Sequence, residues 1–183
     1  ILRQDPDIVM VGEIRDFETA QISIRASLTG HLVLSTLHTN SAVAALTRLI
    51  DMGVEPFLIA SSLSGVVAQR LVRRVCRDCA VEVEPTTREQ EIFAQANITI
   101  DKLLRGRGCP SCNQTGYRGR IAIHEVLTID DDIRQLIMEA ASASKIRQYV
   151  RERGMLFLQD DGLKKIQEGI TTTEEVLRVA TID

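Results

Sequence analysis

Tryptophan is absent, and aromatic residues make up only 3% of the 183 residues. A chain this poor in flat rings offers few platforms on which bases could stack, which weighs against a single-stranded nucleic-acid surface. No apolar run approaches the ~18 residues of a membrane-spanning helix. No charged-then-apolar start suggests a signal peptide. A Gly-x-x-x-x-Gly-Lys-Ser/Thr stretch is also missing, so the backbone cradle of a phosphate-binding P-loop is not among these residues. Internal repeats and low-complexity segments are lacking too.

The residues that are present describe a globular chain, 44% hydrophobic and 26% charged. The length suits one domain with a core, or one domain plus a small module. The first residue is Ile1 and not Met, so the sequence is expected to be a piece of a longer protein. The net charge of −3 by itself argues for no polyanionic partner. Charge is unevenly spread, however. The stretch 70–120 carries ten Lys/Arg against six Asp/Glu. Such a basic middle could face nucleic acid, membrane headgroups or acidic protein, or simply be a solvated face.

The most informative stretch is Ile8-Val-Met-Val-Gly-Glu-Ile-Arg-Asp16. Ile8 to Val11 read as a short strand buried on both faces, with Glu13 at its C-terminal end. Ligands of open α/β sheets bind at that end. In P-loop NTPases an acid there holds Mg²⁺, but Gly12 leaves only Glu13 at the tip, where it would orient or deprotonate an attacking water. The plainer reading is a strand followed by a surface acid. Asp16 suits the cap of a helix from Phe17, ended by Thr29-Gly30. His31–Thr36 reads as a second strand, with His38 beyond its tip. A parallel βαβ unit would bring Glu13 and His38 to one edge, where a histidine can donate to a phosphate oxygen. A loop or core histidine is the plainer alternative. His31 should lie at the opposite end of that strand.

Asn40 suits a cap for a helix 41–52 ended by Gly53. Pro56 suits the first turn of another helix, over 55–72. Cys76-Arg-Asp-Cys79 and Cys109-Pro-Ser-Cys112 then form two CxxC pairs, 29 residues apart, that use every cysteine in the chain. Two such knuckles complete a tetrahedral four-sulfur shell for a structural metal. Free thiols or two disulfides are the alternatives. Residues 121–127 read as a strand returning to the main body, with His124 a strand residue. Helices follow around Ile133, Ile146 and Leu163, and Thr172-Thr-Glu-Glu175 fits a capping box for the last.

As an ordered set, several stretches resemble the C-terminal part of the type II secretion and type IV pilus assembly ATPases. They are Asp5-Pro-Asp7 through Asp16, Thr29-Gly-His31 through Asn40, Ala68-Gln-Arg-Leu-Val72, the four cysteines, Gly116-Tyr-Arg-Gly-Arg120 and Gly169 through Val176. The resemblance implies an α/β fold: the C-terminal half of a RecA-like P-loop ATPase core (1–73), a tetracysteine zinc module (74–120), and a returning strand with a C-terminal helical bundle (121–183). It implies a hexameric ring in the bacterial cytoplasm, peripheral at the inner membrane beside inner-membrane secretion proteins. ATP and Mg²⁺ would bind in the intact protein, and hydrolysis would power pseudopilus assembly and protein export. By motif matching, Glu13 is similar to the Walker B glutamate and His31 and His38 lie in the family's His box. Glu13 and His38 are then the expected catalytic residues, and Glu13, His31 and His38 the nucleotide-contacting ones. Cys76, Cys79, Cys109 and Cys112 match the family's zinc ligands.

The tetracysteine spacing and Ile123-His-Glu-Val126 look more like the secretion branch than the pilus branch. Ala122, where the family more often has Gly, is a small departure. The missing P-loop is a larger one: the chain reads as a fragment that begins after it, expected to bind ATP poorly and turn it over negligibly alone. Three other readings compete: a type IV pilus assembly ATPase, a zinc-module protein that binds nucleic acid through its basic middle, and a purely structural interaction domain. With the resemblance, no nucleic-acid partner is expected.

Overall fold

The structure, a computed structural model, describes residues 6–180. Asp5 of the Asp5-Pro-Asp7 motif lies outside the described residues. Contacts divide the chain into two compact units, each drawn from two separate stretches. One comprises residues up to Ala68 with Val126–Met155, the other Gln69–Glu125 with residues from Leu156 onward. No helix among the described residues is long and apolar enough to cross a membrane.

The first unit opens with the anticipated βαβ step. Strands β1 (Ile8–Val11) and β2 (Leu32–Ser35) pair in parallel, Ile8 opposite Leu32 and Val11 opposite Ser35. Helix α1 (Phe17–Leu28) connects them, its N-terminus capped by Asp16, which accepts from the Thr19 N–H at 2.8 Å. Helix α2 (Ala42–Asp51) is capped by Ser41 and not by Asn40 as expected, because the Ser41 hydroxyl accepts from the Ala44 N–H at 3.1 Å. Ala20, Ala42, Leu46, Leu49 and Ile59 form the core of this unit together with Ile133, Ile137, Ile146 and Val150. The last four come from α5 (Asp131–Met138) and α6 (Ala143–Glu152). The helical faces expected around Ile133 and Ile146 are thus buried, whereas Phe17 and Leu28 of α1 are 45% and 48% exposed.

Two further expectations fail. The β1–β2 sheet is not buried on both faces: Ile8 is 60% and Met10 74% exposed, and Leu32 and Leu34 are about as open. A parallel sheet is dry only when helices cover both sides, and among the described residues only two strands pair here. The helix expected over 55–72 is shorter. Helix α3 runs Pro56–Ser62, and Gly65–Val75 is a strand, β3. Ala68 and Val72, four residues apart, share a face in a helix and in a strand alike, so periodicity alone could not separate the two. Pairing decides. β3 pairs with β6 (Tyr117–Thr128), and Ala68 and Val72 turn inward while Val67, Gln69 and Leu71 turn out. A Cβ at Gly65 would stand 3.2 Å from the Leu127 carbonyl oxygen, so the strands approach closely there.

In the second unit, the 29 residues between the cysteine pairs are not a bare loop. They form β4 (Ala80–Val83), helix α4 (Thr87–Gln95) and β5 (Leu103–Gly106), with β4 and β5 antiparallel and Ala80 opposite Gly106. A capping box of Thr86 and Glu89 starts α4. Glu89 also accepts two bonds from Arg105 of β5, at 2.9 and 2.8 Å, which fastens the helix to the hairpin. Helices α7 (Leu158–Gln167) and α8 (Thr173–Val179) complete the unit.

Asp161-Gly162 does not interrupt α7. A Cβ at Gly162 would stand 2.5 Å from Cγ1 of Val176, so the glycine is what lets α8 lie against α7. On an exposed helix Gly→Ala gains about 1 kcal/mol. Here crowding in a packed contact opposes it with about 1–3 kcal/mol. Gly162→Ala is therefore expected to lower stability in urea unfolding, and adding Val176→Ala should recover part of the loss. A stabilised single variant would show that Val176 moves aside freely.

Candidate active site and metal centre

Glu13 stands just beyond β1. Two bonds continue the parallel pairing past the strand ends: the Ile14 N–H donates to the Thr36 carbonyl at 2.9 Å, and the Thr36 hydroxyl donates to the Gly12 carbonyl at 2.8 Å. Thr36 thus ties the two tips together and sets the loop that carries Glu13. His38, two residues on, reaches the same place. Its Nε2 lies 2.7 Å from Glu13 Oε1, while Arg15 Nε donates to Oε2 at 2.6 Å. Glu13 is sheltered, its side chain 21% exposed, whereas His38 is 85% exposed. Although His38 is near, Oε1 is buried and has no aligned hydrogen-bond donor.

The structure therefore brings Glu13 and His38 together, as the sequence anticipates. It does not bring His31. That ring lies at the start of β2, its Nδ1 3.0 Å from the Ala26 carbonyl and 3.2 Å from the Thr29 hydroxyl. The length of β2, roughly 13 Å at ~3.3 Å per residue, separates it from the tip. Arg15 and Thr36 were not singled out from sequence. Arg15 had a readable signal, a cation two residues from Glu13 in the same loop. Thr36 had none, because its role depends on which carbonyl lies across the sheet.

The four cysteine sulfurs converge in the second unit, all within 4.8 Å of one another. Cys76 and Cys109 sulfurs are 3.9 Å apart, Cys79 and Cys112 3.9 Å, and Cys109 and Cys112 3.7 Å. Four sulfurs at about 2.3 Å from a central ion stand about 3.8 Å apart in a tetrahedron, so the spacing fits a metal–thiolate shell. It is too long for disulfides. The knuckles are shaped by backbone. The N–H groups of Cys109 and Gly116 donate to the Cys112 sulfur at 3.2 and 3.3 Å. Burial alone would push the Cys112 thiol up, yet these N–H groups bring it down to about 6. Burial pushes Cys79 up to about 12. Four protein ligands leave no open position, so this centre is structural in type. His124 sits in β6, as expected of a strand residue.

A buried carboxylate anchors the strand that leads into the first knuckle. Glu175, 2% exposed, accepts from the Arg73 N–H at 2.8 Å and from its guanidinium at 2.7 Å, and from Arg178 at 3.0 Å. The Arg73 guanidinium also lies over the Tyr117 ring, 4.1 Å from its centre. Tyr117 in turn shares a 2.9 Å bond with the Thr172 hydroxyl. The capping box expected at 172–175 is consequently not made: Thr172 is the N-cap of α8 without a side-chain cap bond, because both of its members are engaged elsewhere.

Burial opposes ionisation of Glu175, but its bonds from Arg73 and Arg178 outweigh that and hold it near 2, below its ordinary 4.5. A carboxyl lowered on folding stabilises fully above about 4.5 and loses that contribution as pH falls toward 2. Acid unfolding of the wild type is therefore expected to begin in this window. Glu175→Gln should flatten the pH dependence and cost about 2–3 kcal/mol at pH 7, the low end for a broken buried pair because Arg73 is half exposed. Equal acid sensitivity in the variant would remove Glu175 as the cause.

Comparison with known proteins adds the wider context. The family model described as "Type II/IV secretion system protein" matches residues 1–178. Type II secretion system ATPase E of Vibrio cholerae is 55% identical over 179 residues, which are 98% of this chain and 35% of that protein. Type IV pilus assembly ATPase PilB of Thermus thermophilus is 56% identical over 178 residues, 96% of this chain and 20% of that protein. Among solved structures, the pilus retraction motor PilT with bound ADP is similar with a TM-score of 0.67 and 26% identity, over 99% of this chain and 41% of that one. The chain thus spans about a third or less of the length of these curated relatives. The α/β fold is the RecA-like fold of these ATPases, and the chain also carries the four-cysteine cluster and C-terminal helices. The chain belongs to the type II/IV secretion system protein family.

Proposed function

We propose that this chain is part of a cytoplasmic, hexameric ATPase, peripheral at the bacterial inner membrane, that powers pseudopilus assembly and protein export. The observation that carries this reading is Glu13 at the tip of β1, its Oε1 without an aligned donor and its other oxygen held by Arg15. A carboxylate so placed accepts the proton of, or orients, the attacking water. His38, largely exposed beside it, is the group that touches a phosphate oxygen. ATP and Mg²⁺ supply the phosphoanhydride and its charge neutralisation, and the protein's own contribution at this edge is the orientation of the water. His31 acts at a distance, through the start of β2. The open apolar face of β1–β2 is read as packing against the remainder of a longer protein, where the phosphate cradle lies. The chain alone then turns over ATP negligibly.

A type IV pilus assembly ATPase is the second reading. It is supported by an identity to PilB as high as that to the secretion ATPase.

In the full-length enzyme, Glu13→Gln is expected to lower the rate of ATP hydrolysis by ~10²-fold or more, as for removal of a general base, with nucleotide affinity nearly kept. Wild-type hydrolysis by the variant would reduce Glu13 to a strand-end acid.

Zinc is the metal proposed for Cys76, Cys79, Cys109 and Cys112, since four thiolates in a tetrahedron suit it. One zinc per chain is expected by elemental analysis. Chelation should unfold the second unit, because binding energy at such a site is folding energy. Stable, zinc-free protein with four freely reacting thiols would overturn the assignment.

A further inference from the structure

We propose that an arginine-lined recess beside the first cysteine knuckle binds a phosphate group. The recess has a volume of about 330 Å³ and is bounded by Arg74, Val75, Arg77, Asp78 and Arg118. It is built where three pieces of chain meet: the end of β3, the tight turn 77–79, and the start of β6. Buried Val75 fixes the floor, its N–H donating to the Ile170 carbonyl at 2.9 Å. Gly119, at φ +77°, has only the Arg74 side chain beside it, at 4.0 Å from where a Cβ would stand. The absence of a side chain at Gly119, within β6, leaves room for the Arg74 stem.

The charges in the recess are unspent. The side chains of Arg74 and Arg77 form no hydrogen bond or ion pair among the described residues. Arg118 has a single long contact, 3.5 Å to Asp78, between two side chains that are each more than half exposed. A pair of that kind contributes little. By contrast, Arg73, Arg105 and Arg178 of the same unit each have a carboxylate within 3.0 Å. Three guanidinium groups against one carboxylate leave a net charge near +2, which matches a phosphate monoester at neutral pH. The planar fork of arginine fits phosphate oxygens in pairs.

Size and shape narrow the ligand. Small-molecule sites begin at about 300 Å³, so the space suits one phosphate on a small organic body. It does not suit a polymer. A nucleic-acid strand needs rings to stack on, and the nearby Tyr117 ring is already covered by Arg73. The site is distinct from Glu13 and involves none of its residues. A competing role for the arginines is to balance the negative charge of a metal held by four thiolates.

The test uses the metal-loaded chain, with inorganic phosphate and glycerol 3-phosphate as soluble probes. Arginine side-chain NMR and calorimetry are the readouts. Phosphatidylcholine vesicles with and without phosphatidic acid form the second arm. Saturable binding is expected, one per chain, with shifts concentrated at Arg74, Arg77 and Arg118. Arg77→Gln and Arg118→Gln should each weaken it about tenfold, the effect of one charge-assisted pair. Arg88→Gln, on the exposed face of α4, should leave it unchanged. Asp78→Asn removes the opposing charge and should tighten binding about threefold, a gain that misfolding cannot imitate. Saturation by the soluble probes without vesicle binding identifies a free phosphate. Vesicle binding that needs phosphatidic acid and the same arginines identifies a lipid headgroup. The proposal is overturned if neither arm saturates, or if the variants bind as the wild type does. It is also overturned if the arginine variants lose metal while phosphate affinity stays the same, which would assign them to charge balance.

Discussion

The second unit depends on four sulfur atoms held within 4.8 Å of one another. Cys76 follows directly on β3, and Cys112 precedes β6 by a few residues, so the cluster closes the chain where those paired strands meet. Everything between the knuckles, β4, α4 and β5, is a small excursion with few buried side chains, chiefly Ile92, Phe93 and Leu103. So small a core is marginal without a staple. Backbone geometry supports the closure. The Cys76 N–H donates to the Gly116 carbonyl at 2.9 Å, and a Cβ at Gly106 would collide with the backbone of Gly116. Side chains at 106 and 116 would force the second knuckle away from the hairpin, and the sulfurs with it.

The first unit rests on a different constraint, the parallel register of two short strands. Once Val11 lies opposite Ser35, Gly12 and Thr36 are neighbours and the Thr36 hydroxyl can bridge the tips. Glu13 and His38 then meet without either being held by a core. That arrangement places a sheltered carboxylate beside two exposed cationic or titratable groups.

Buried carboxylates show how a local signal is overridden. Glu89 makes the capping box that Thr86 invites, and adds Arg105. Glu175 sits at the same position of an equally good signature, three residues after Thr172, and does not make it. The difference is an arginine on another strand. Arg73 offers both its backbone N–H and its guanidinium, and charge-assisted bonds to a buried carboxylate exceed a neutral cap. Capping from sequence is a statement about one turn of chain, and it fails where a distant cation bids for the same oxygen atoms.

The sequence by itself determined the βαβ step, the helical faces around Ile133 and Ile146, and the four metal-type cysteines, because each rests on spacing within a short stretch or on residue types with few alternatives. It also marked Glu13 and His38, since parallel strands bring their C-terminal ends to one edge. Only tertiary structure decided the rest. Residues 65–75 became a strand because β6 was there to pair with, the same apolar positions serving either period. The β1–β2 face stayed open because nothing in the chain covers it among the described residues. Thr36 and Glu175 acquired their partners from contacts that no local pattern encodes. The physical reason is common to all of these: hydrogen bonds and burial are settled between segments far apart in sequence, whereas periodicity and motif spacing speak only for one segment at a time.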